Sequence, residues 1–286
     1  MRTVKIITDS ASDLPAEFFE KYDISMLPMG IVVDNKTYLD RVDLDLATLF
    51  EIIKENPQNV PKTVMPLAST MTDEFRKNLQ TFEHQIFVCI SSKGSGTYNL
   101  ANMVKSEIEE QIGGPSNITV VDSMSFSAGY GLAVMKMAKA AYEGADFNTV
   151  MSVFNNNLER THVFLIVDDL QHLQRGGRIN PSAAFVGEML GIKPILTIKN
   201  GMLDSFSKAR GKRKAIEMLA QLLLERVKRA EDTNTYFVHT NASQEVQLIK
   251  DYVLSKITPN ETMTFELGPC VGSHTGIGLL GIVFTV

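Results

Sequence analysis

Four short segments of this chain carry residues suited to holding an anion. The stretch Glu266-Leu-Gly-Pro-Cys-Val-Gly-Ser-His-Thr-Gly-Ile-Gly278 packs four glycines, a proline and one histidine, His274, between two apolar strand-like runs, Thr262–Leu267 and Leu279–Val286. Glycine at this density lets backbone take positive φ and come close to a ligand or to another segment. The imidazole adds a group that can hydrogen-bond or carry a proton. Ile90-Ser-Ser-Lys-Gly-Ser-Gly-Thr-Tyr98 follows a strand pattern and opens a helix pattern. A Gly-Ser-Gly loop at a helix N-terminus offers free backbone N–H groups and the positive dipole end, and Ser95 stands unobstructed between its two glycines. The same hydroxyls serve equally well as helix caps. Thr63 sits in Asn59-Val-Pro-Lys-Thr-Val-Met-Pro66, a hydroxyl in an apolar, proline-bracketed loop, where a plain turn residue is the simpler reading. Arg175-Gly-Gly-Arg178 sets two guanidinium forks around a glycine pair. Such forks fit a carboxylate or a phosphate, although the glycines also read as a helix C-cap.

Other chemistries fit less well. The spacing around Gly94 and Gly96 is neither a Walker loop nor a dinucleotide fingerprint. Lys93-Gly-Ser-Gly-Thr97 lacks the Gly-x-Ser-x-Gly elbow, and no acidic partner is placeable for His274. A hydrolase or phosphoryl-transfer enzyme using Ser95 and His274 is therefore the alternative rather than the leading expectation. Asp9 and Asp122 close strand patterns and could meet at a metal, but no further ligand spacing supports one, so capping is expected and no metal site is assigned.

Strands and helices must place these residues. The first half alternates: strands at Val4–Thr8, Ile24–Val33, Gln85–Ile90 and Ile118–Val121, and helices from Pro15 to about Tyr22, from Asp43, from a capping box at Thr70 and Asp73, over Thr97–Gln111 and over Ala128–Glu143. This rhythm predicts a parallel sheet with helices on both faces, a three-layer α/β/α domain. The second half reads as a helix over Thr149–Glu159, a strand at His162–Val167, a short helix into Arg175, a helix opened by Asn180-Pro181, and a hairpin Pro194–Lys199/Met202–Lys208 turning on Asn200-Gly201. A helix over Lys212–Ala230, a strand at Tyr236–Thr240, a helix over Gln244–Ile257 and two closing strands predict an α/β domain with a mixed sheet. The boundary falls near Leu158, giving domains 1–158 and 159–286.

Composition narrows the function. The chain has 286 residues, 44% hydrophobic and 21% charged, with a net charge of −5, which argues against a nucleic-acid-binding surface. The run Lys208-Ala-Arg-Gly-Lys-Arg-Lys214 is the one basic exception. Its cations oppose the dipole of the helix they open, which favours contact with an anionic surface. Two distant cysteines, Cys89 and Cys270, neither with a second cysteine at ligand spacing, argue against a disulfide or metal framework. No signal pattern and no run long enough to span a membrane is read, so a cytoplasmic protein is expected.

Taken together, Thr8-Asp-Ser-Ala-Ser-Asp-Leu14, Thr63-x-x-Pro66, Ile90-Ser-Ser-x-x-Ser-Gly-Thr-Tyr98, Leu173-x-Arg-Gly-Gly-Arg-Ile179, Leu190-Gly-Ile-Lys-Pro-Ile-Leu196 and Gly268-Pro-x-x-Gly-x-His-Thr-Gly276 resemble, in order and over nearly the whole chain, the DegV family of bacterial fatty-acid-binding proteins. The resemblance implies a two-domain α/β fold with a long-chain fatty acid in a tunnel between the domains. It implies a separate fatty acid kinase that phosphorylates the bound carboxylate, no cofactor, and no catalysis by the carrier itself. Thr63 and Ser95 would hydrogen-bond the carboxylate, His274 and Arg175 would extend that polar network, and Arg210 would lie where the kinase or a membrane surface is met. Val64-Met65, where the family usually has Ser-Gln, and Ile277, where it usually has proline, depart from the pattern. The physics agrees with a carrier: at about 0.8 kcal/mol per buried CH₂, roughly fourteen methylenes supply on the order of 11 kcal/mol before association costs.

Overall fold

β-Branched and aromatic residues make many of the strands of this protein, and glycines at Gly113, Gly177 and Gly276 close three of its described helices. The computed structural model describes residues 2–56, 58, 60–181 and 191–286. The chain forms two compact units that are each discontinuous: Met1–Asp43 with Thr63–Glu159, and Leu44–Lys62 with Arg160–Val286. Among the described residues no helix is long and apolar enough to cross a membrane.

The first unit contains β1 (Arg2–Asp9), α1 (Ala16–Lys21), β2 (Ser25–Leu27), β3 (Gly30–Val33), β4 (Lys36–Leu39), β5 (reaching Val64 from Lys62), α3 (Ala68–Asn78), β6 (Phe82–Cys89), α4 (Thr97–Ile112), β7 (Ile118–Asp122), α5 (Ala128–Tyr142) and α6 (Phe147–Arg160). β2-β1-β6-β7 form a four-stranded sheet in which every pairing is parallel. Ile7, Leu27, Phe87 and Cys89 meet Met71 and Phe75 of α3 and Ala101, Val104 and Ile108 of α4 in one core. α5 packs on β1 with Tyr130, Val134 and Met137 fully buried. A small sheet of order β4-β3-β5, which periodicity did not announce, stands apart.

The second unit contains α2 (Leu46–Glu55), β8 (Thr161–Ile166), α7 (Gln171–Gly176), β9 (Ile192–Lys199), β10 (Met202–Arg210), α8 (Lys212–Arg226), β11 (Asn234–His239), α9 (Ser243–Leu254), β12 (Glu261–Glu266), α10 (Pro269–Thr275) and β13 (Leu280–Thr285). Its sheet is mixed, order β10-β9-β8-β13-β11-β12, with β11 and β12 parallel and the other neighbours antiparallel. Phe164, Ile195, Phe237, Ile282 and Phe284 bury one face under Leu219 and Leu223 of α8 and Val246, Ile249 and Val253 of α9. Asn200 and Gly201, both at positive φ (52° and 77°), make the expected turn between β9 and β10.

Several elements differ from expectation for local reasons. The cap of α2 is Asp45, whose carboxylate accepts from Thr48 N–H at 2.8 Å, while Asp43 turns back to accept from Leu39 N–H. α3 begins at Ala68, directly after Pro66-Leu67, so Thr70 lies inside the helix rather than capping it. α8 stops at Arg226, where Val227 becomes extended and Arg229 pairs with Glu231 and Asp232. The glycine-rich stretch before β13 is not a plain loop: it holds α10, opened by Pro269. The helix expected after Asn180-Pro181 falls on 182–190, outside the described residues, as do Leu190 of the quoted motif, Pro57 and Asn59.

Gly131 shows why α5 can approach β1 so closely. A Cβ at this position would lie 2.1 Å from the Ser12 carbonyl oxygen, a backbone atom, whereas one at Gly114 would meet nothing within 4 Å. Gly131→Ala is expected to destabilise the protein by about 3 kcal/mol or more despite alanine's better helix propensity. Gly114→Ala should fall within about 1 kcal/mol of the parent. Urea denaturation of the two variants followed by circular dichroism checks the contrast, and equal midpoints would refute it.

Candidate functional site

In a parallel sheet all strands end at one edge, and that edge is where ligands bind in open α/β folds. In the first unit it is built from the residues after β1, β2, β6 and β7. Asp9, the last residue of β1, is fully buried; its Oδ2 accepts from Ile90 N–H at 2.9 Å and its Oδ1 from the Tyr130 hydroxyl at 2.5 Å. Burial pushes the Asp9 carboxyl up to about 6; the hydrogen bonds from Tyr130 and Ile90 oppose that rise and the nearby charge of Asp40 adds a little to it. Ser10 Oγ accepts from Met29 N–H at 2.9 Å. Beside them Asp13 and the two residues bonded to its carboxylate, Arg41 and Ser127, all take positive φ (54°, 62° and 53°). Arg41 donates to Asp13 Oδ1 at 2.9 Å and to the Leu14 carbonyl at 3.0 Å, and Ser127 donates to Asp13 Oδ2.

The loop from Ile90 to Gly96 stands on this base. Ser91 N–H donates to the Ser125 carbonyl at 2.9 Å, Ser92 N–H to Asp122 Oδ1 at 3.0 Å, and the Ser91 carbonyl accepts from both Gly94 and Ser95 N–H at 3.0 Å. Asp122 also accepts from Met124 N–H, so its carboxylate serves two loop amides. Ser95 is half-buried, with Oγ 2.9 Å from Thr97 Oγ1, and Thr97 Oγ1 donates to the Met29 sulfur at 3.8 Å. Gly96 precedes α4 and brings no side-chain cap.

Thr63 is carried to this loop by β5. Two glycines seat its neighbours: a Cβ at Gly30 would lie 2.4 Å from Val64 Cγ2, and one at Gly96 would lie 2.6 Å from the Met65 sulfur. Met65, two residues on from Thr63 and just past β5, therefore lies against Gly96 of the Ser95 loop. The structure thus brings the segments of Thr63 and Ser95 together. Val64 and Met65, the departures from the family pattern, are the residues that lock them.

In the second unit α7 and α10 pack through a reciprocal pair of contacts. A Cβ at Gly176 would lie 2.4 Å from His274 Nδ1, and one at Gly276 would lie 2.8 Å from His172 Cδ2. Each histidine ring therefore rests on the other helix's glycine. Burial pushes the His274 imidazole down to about 4, with smaller contributions from the Arg178 charge and from His172, so the ring is neutral at physiological pH.

Arg175 points elsewhere. It is exposed and donates to Gln171 Oε1 at 3.1 Å, one turn back on α7. The guanidinium beside His274 belongs to Arg178, which donates to the Gly176 carbonyl. Gly177, in the left-handed C-cap conformation, turns the chain between the two arginines. Arg210 is exposed at the end of β10. Much of the basic run after it is internally paired: Lys212 bonds Asp168 at 3.0 Å and Glu245 at 3.3 Å, and Arg213 and Lys214 both reach Glu217.

Sequence reading missed Tyr130, Arg178's position and the long-range role of Asp9. Only the Arg-Gly-Gly-Arg spacing held a clue, since a left-handed glycine between the arginines must send them in different directions. Among the described residues no cluster of three or more His, Cys, Asp or Glu is placed to hold a metal ion.

Comparison with known proteins places this architecture. A family model described as an uncharacterised protein of the DegV family matches residues 3–286. A DegV domain-containing protein of Clostridium acetobutylicum is 34% identical over 285 residues, covering 99% of both chains. Two solved structures share the fold throughout: a fatty-acid-binding DegV family protein from Thermus thermophilus (TM-score 0.90, 28% identity, 100% of this chain and 99% of that one) and DegV, a fatty acid binding protein from Bacillus subtilis (TM-score 0.87, 28% identity, the same coverage). A stearic acid-binding protein from Eubacterium ventriosum aligns at TM-score 0.87 with 25% identity over 99% of this chain and 98% of its own. With its motifs in order, its parallel and mixed sheets in place and its whole length matched, this chain belongs to the DegV family.

Proposed function

We propose that this protein is a cytoplasmic carrier that binds one long-chain fatty acid and presents its carboxylate to a separate kinase for acyl-phosphate formation, with no chemistry of its own. The observation that carries the proposal is the meeting of the Thr63 and Ser95 segments at the N-terminus of α4, on a fold whose relatives are described as fatty acid binding. The hydroxyls gathered there can donate hydrogen bonds, which a carboxylate requires once its tail is buried. Thr97 gives its hydrogen to a thioether, a weak acceptor, so that hydrogen is easily redirected to Ser95 Oγ. Ser95's own hydrogen is then available to an arriving anion; its Oγ accepts from Thr97 N–H at 3.3 Å, and the start of α4 adds its positive dipole end.

Nucleophilic catalysis asks for more. An activated serine needs a base in hydrogen-bond reach and a third group that orients the base. The hydroxyl bonded to Ser95 is that of Thr97, which is no base. His274 and Arg175, which the family resemblance assigns to the same polar network, are carried by the second unit and are best tested by their own variants. A neutral His274 offers one donor and one acceptor without adding charge. Exposed Arg210 is the residue this reading assigns to the kinase or to an anionic membrane surface.

Mass spectrometry of the organic extract from purified protein should find stoichiometric long-chain fatty acid. Each of Thr63→Ala and Ser95→Ala should weaken binding roughly 10- to 100-fold, the range for losing one hydrogen bond to a charged group. A folded double variant that keeps its full lipid load would refute the assignment. Lipid-loaded protein with ATP and magnesium should yield no acyl phosphate, trapped as hydroxamate, until a fatty acid kinase is added. Turnover by the isolated chain, lost in Ser95→Ala, would reverse the conclusion in favour of an enzyme. The His274 ring takes up a proton in the unfolded chain near pH 6.5 but resists it to about 4 when folded. Stability should therefore fall as pH drops through that window, by at most about 1.4 kcal/mol per pH unit from this group. Thermal melts of His274→Gln should show a shallower acid loss than the parent; an identical slope would show that the ring is not held neutral.

A further inference from the structure

We propose that Asp9 is the positioning residue of the carboxylate-binding loop, and that its ionisation state is transmitted through Ile90 to the hydrogen bond Ser95 makes with a bound fatty acid. This inference rests on the fatty-acid reading above and adds to it a residue that touches no ligand. The geometry is a grip on Ser95 from two sides, both starting at the end of β1. On one side Asp9 Oδ2 holds Ile90 N–H at 2.9 Å, at the root of the loop, and the Ser91 carbonyl then holds Ser95 N–H at 3.0 Å. On the other side Ser10 Oγ holds Met29 N–H at 2.9 Å, the Met29 sulfur accepts from Thr97 Oγ1 at 3.8 Å, and Thr97 Oγ1 lies 2.9 Å from Ser95 Oγ. Adjacent residues of one buried strand end thus fix both the backbone and the hydroxyl of Ser95.

The two sides differ in one respect: Asp9 can change charge. As a carboxylate it accepts from Ile90 N–H, the Tyr130 hydroxyl and Ala11 N–H, and these bonds are charge-assisted. Protonation adds a hydrogen that itself needs an acceptor in a fully buried place. The Tyr130 oxygen can take it only by giving up the hydrogen it donates to Asp9, and in either arrangement Ile90 N–H is left with the weaker acceptor of a neutral acid. The titratable groups facing Asp9 are Tyr130, Cys89 and Asp40; Asp13 in turn acts on Tyr130, and Asp122 on Cys89. Burial raises both the Cys89 thiol and the Tyr130 phenol, so these two remain neutral while Asp9 titrates. The carboxyl stands at about 6, which puts the change within reach of the cell's pH.

The test uses the full chain loaded with palmitate carrying carbon-13 in its carboxyl group, with pH titrations of the bound carboxyl resonance and of the Ile90 and Ser95 amides. The parent should show a step near pH 6 in all three. Asp9→Asn should abolish that step, leaving only the ligand's own titration. Tyr130→Phe removes a hydrogen bond that lowers the Asp9 carboxyl, so it should move the step to higher pH. A step at Ile90 that reaches neither Ser95 nor the bound carboxyl would show Asp9 to be structural only, and would overturn the proposal. So would a step unchanged in Asp9→Asn. If Asp9→Asn does not fold, an unmoved midpoint in Tyr130→Phe overturns it instead. Absence of any bound carboxyl resonance in the parent identifies a different failure, that of the fatty-acid reading, and removes this proposal with it.

Discussion

A carboxylate removed from water must find hydrogen bonds or change its charge, and the first unit is arranged around one such group. Asp9 is fully buried, and its partners come from two other elements, Ile90 at the end of β6 and Tyr130 in the first turn of α5. Satisfying one side chain therefore fixes a strand end and a helix at once. Gly131 belongs to the same solution. It lets α5 lie against the Ser12 carbonyl, and a helix held further off would take the Tyr130 hydroxyl away from its carboxylate. The strained trio of Asp13, Arg41 and Ser127 lies beside this anchor, and positive φ at three bonded non-glycine residues persists only where surrounding packing over-determines it.

The two units handle charge by the same means. In the first, hydroxyls and helix amides face the position proposed for an anion; in the second, burial keeps His274 neutral while Arg178 stays occupied by the Gly176 carbonyl. Glycines make both arrangements possible by removing one side chain where another must lie flat: Gly96 under Met65, Gly30 under Val64, Gly176 under His274 and Gly276 under His172. The residues that break the family's usual pattern, Val64 and Met65, are thus packing partners as well as neighbours of Thr63.

Much of this was legible before any coordinates, and what was not has identifiable physical causes. The alternation of strand and helix through the first half specifies a parallel sheet, and Asn200-Gly201 specifies the β9–β10 hairpin, because period and turn chemistry are local properties. Ser95 stood out because its glycine bracket also acts locally, whereas Thr63 read as a turn residue on its own and entered only through the family resemblance. Asp9 read as a cap, and a backbone bond from Ala11 gives it that local role; its other partners, Ile90 and Tyr130, are 81 and 121 residues away, beyond any window of periodicity. The histidine-on-glycine pairing of α7 and α10 was hidden for the same reason. Four glycines in the stretch before β13 oppose helix propensity, yet Pro269 at the first turn and tertiary packing on Gly272 make a short helix there.

The excursion of residues 44–62 has a consequence for how the protein is made. Leu46 and Phe50 of α2 pack on Gly272, about 220 residues further along, within the second unit. During synthesis at about 5–20 residues per second, α2 leaves the ribosome about 10–45 s before its partner exists. For that interval an amphipathic helix with Leu46, Leu49 and Phe50 on one side has nowhere native to put its apolar face. The first unit, by contrast, is complete once Glu159 has emerged. Nascent chains of this protein should therefore carry a finished half and a waiting helix together, the condition under which a holding chaperone would be engaged.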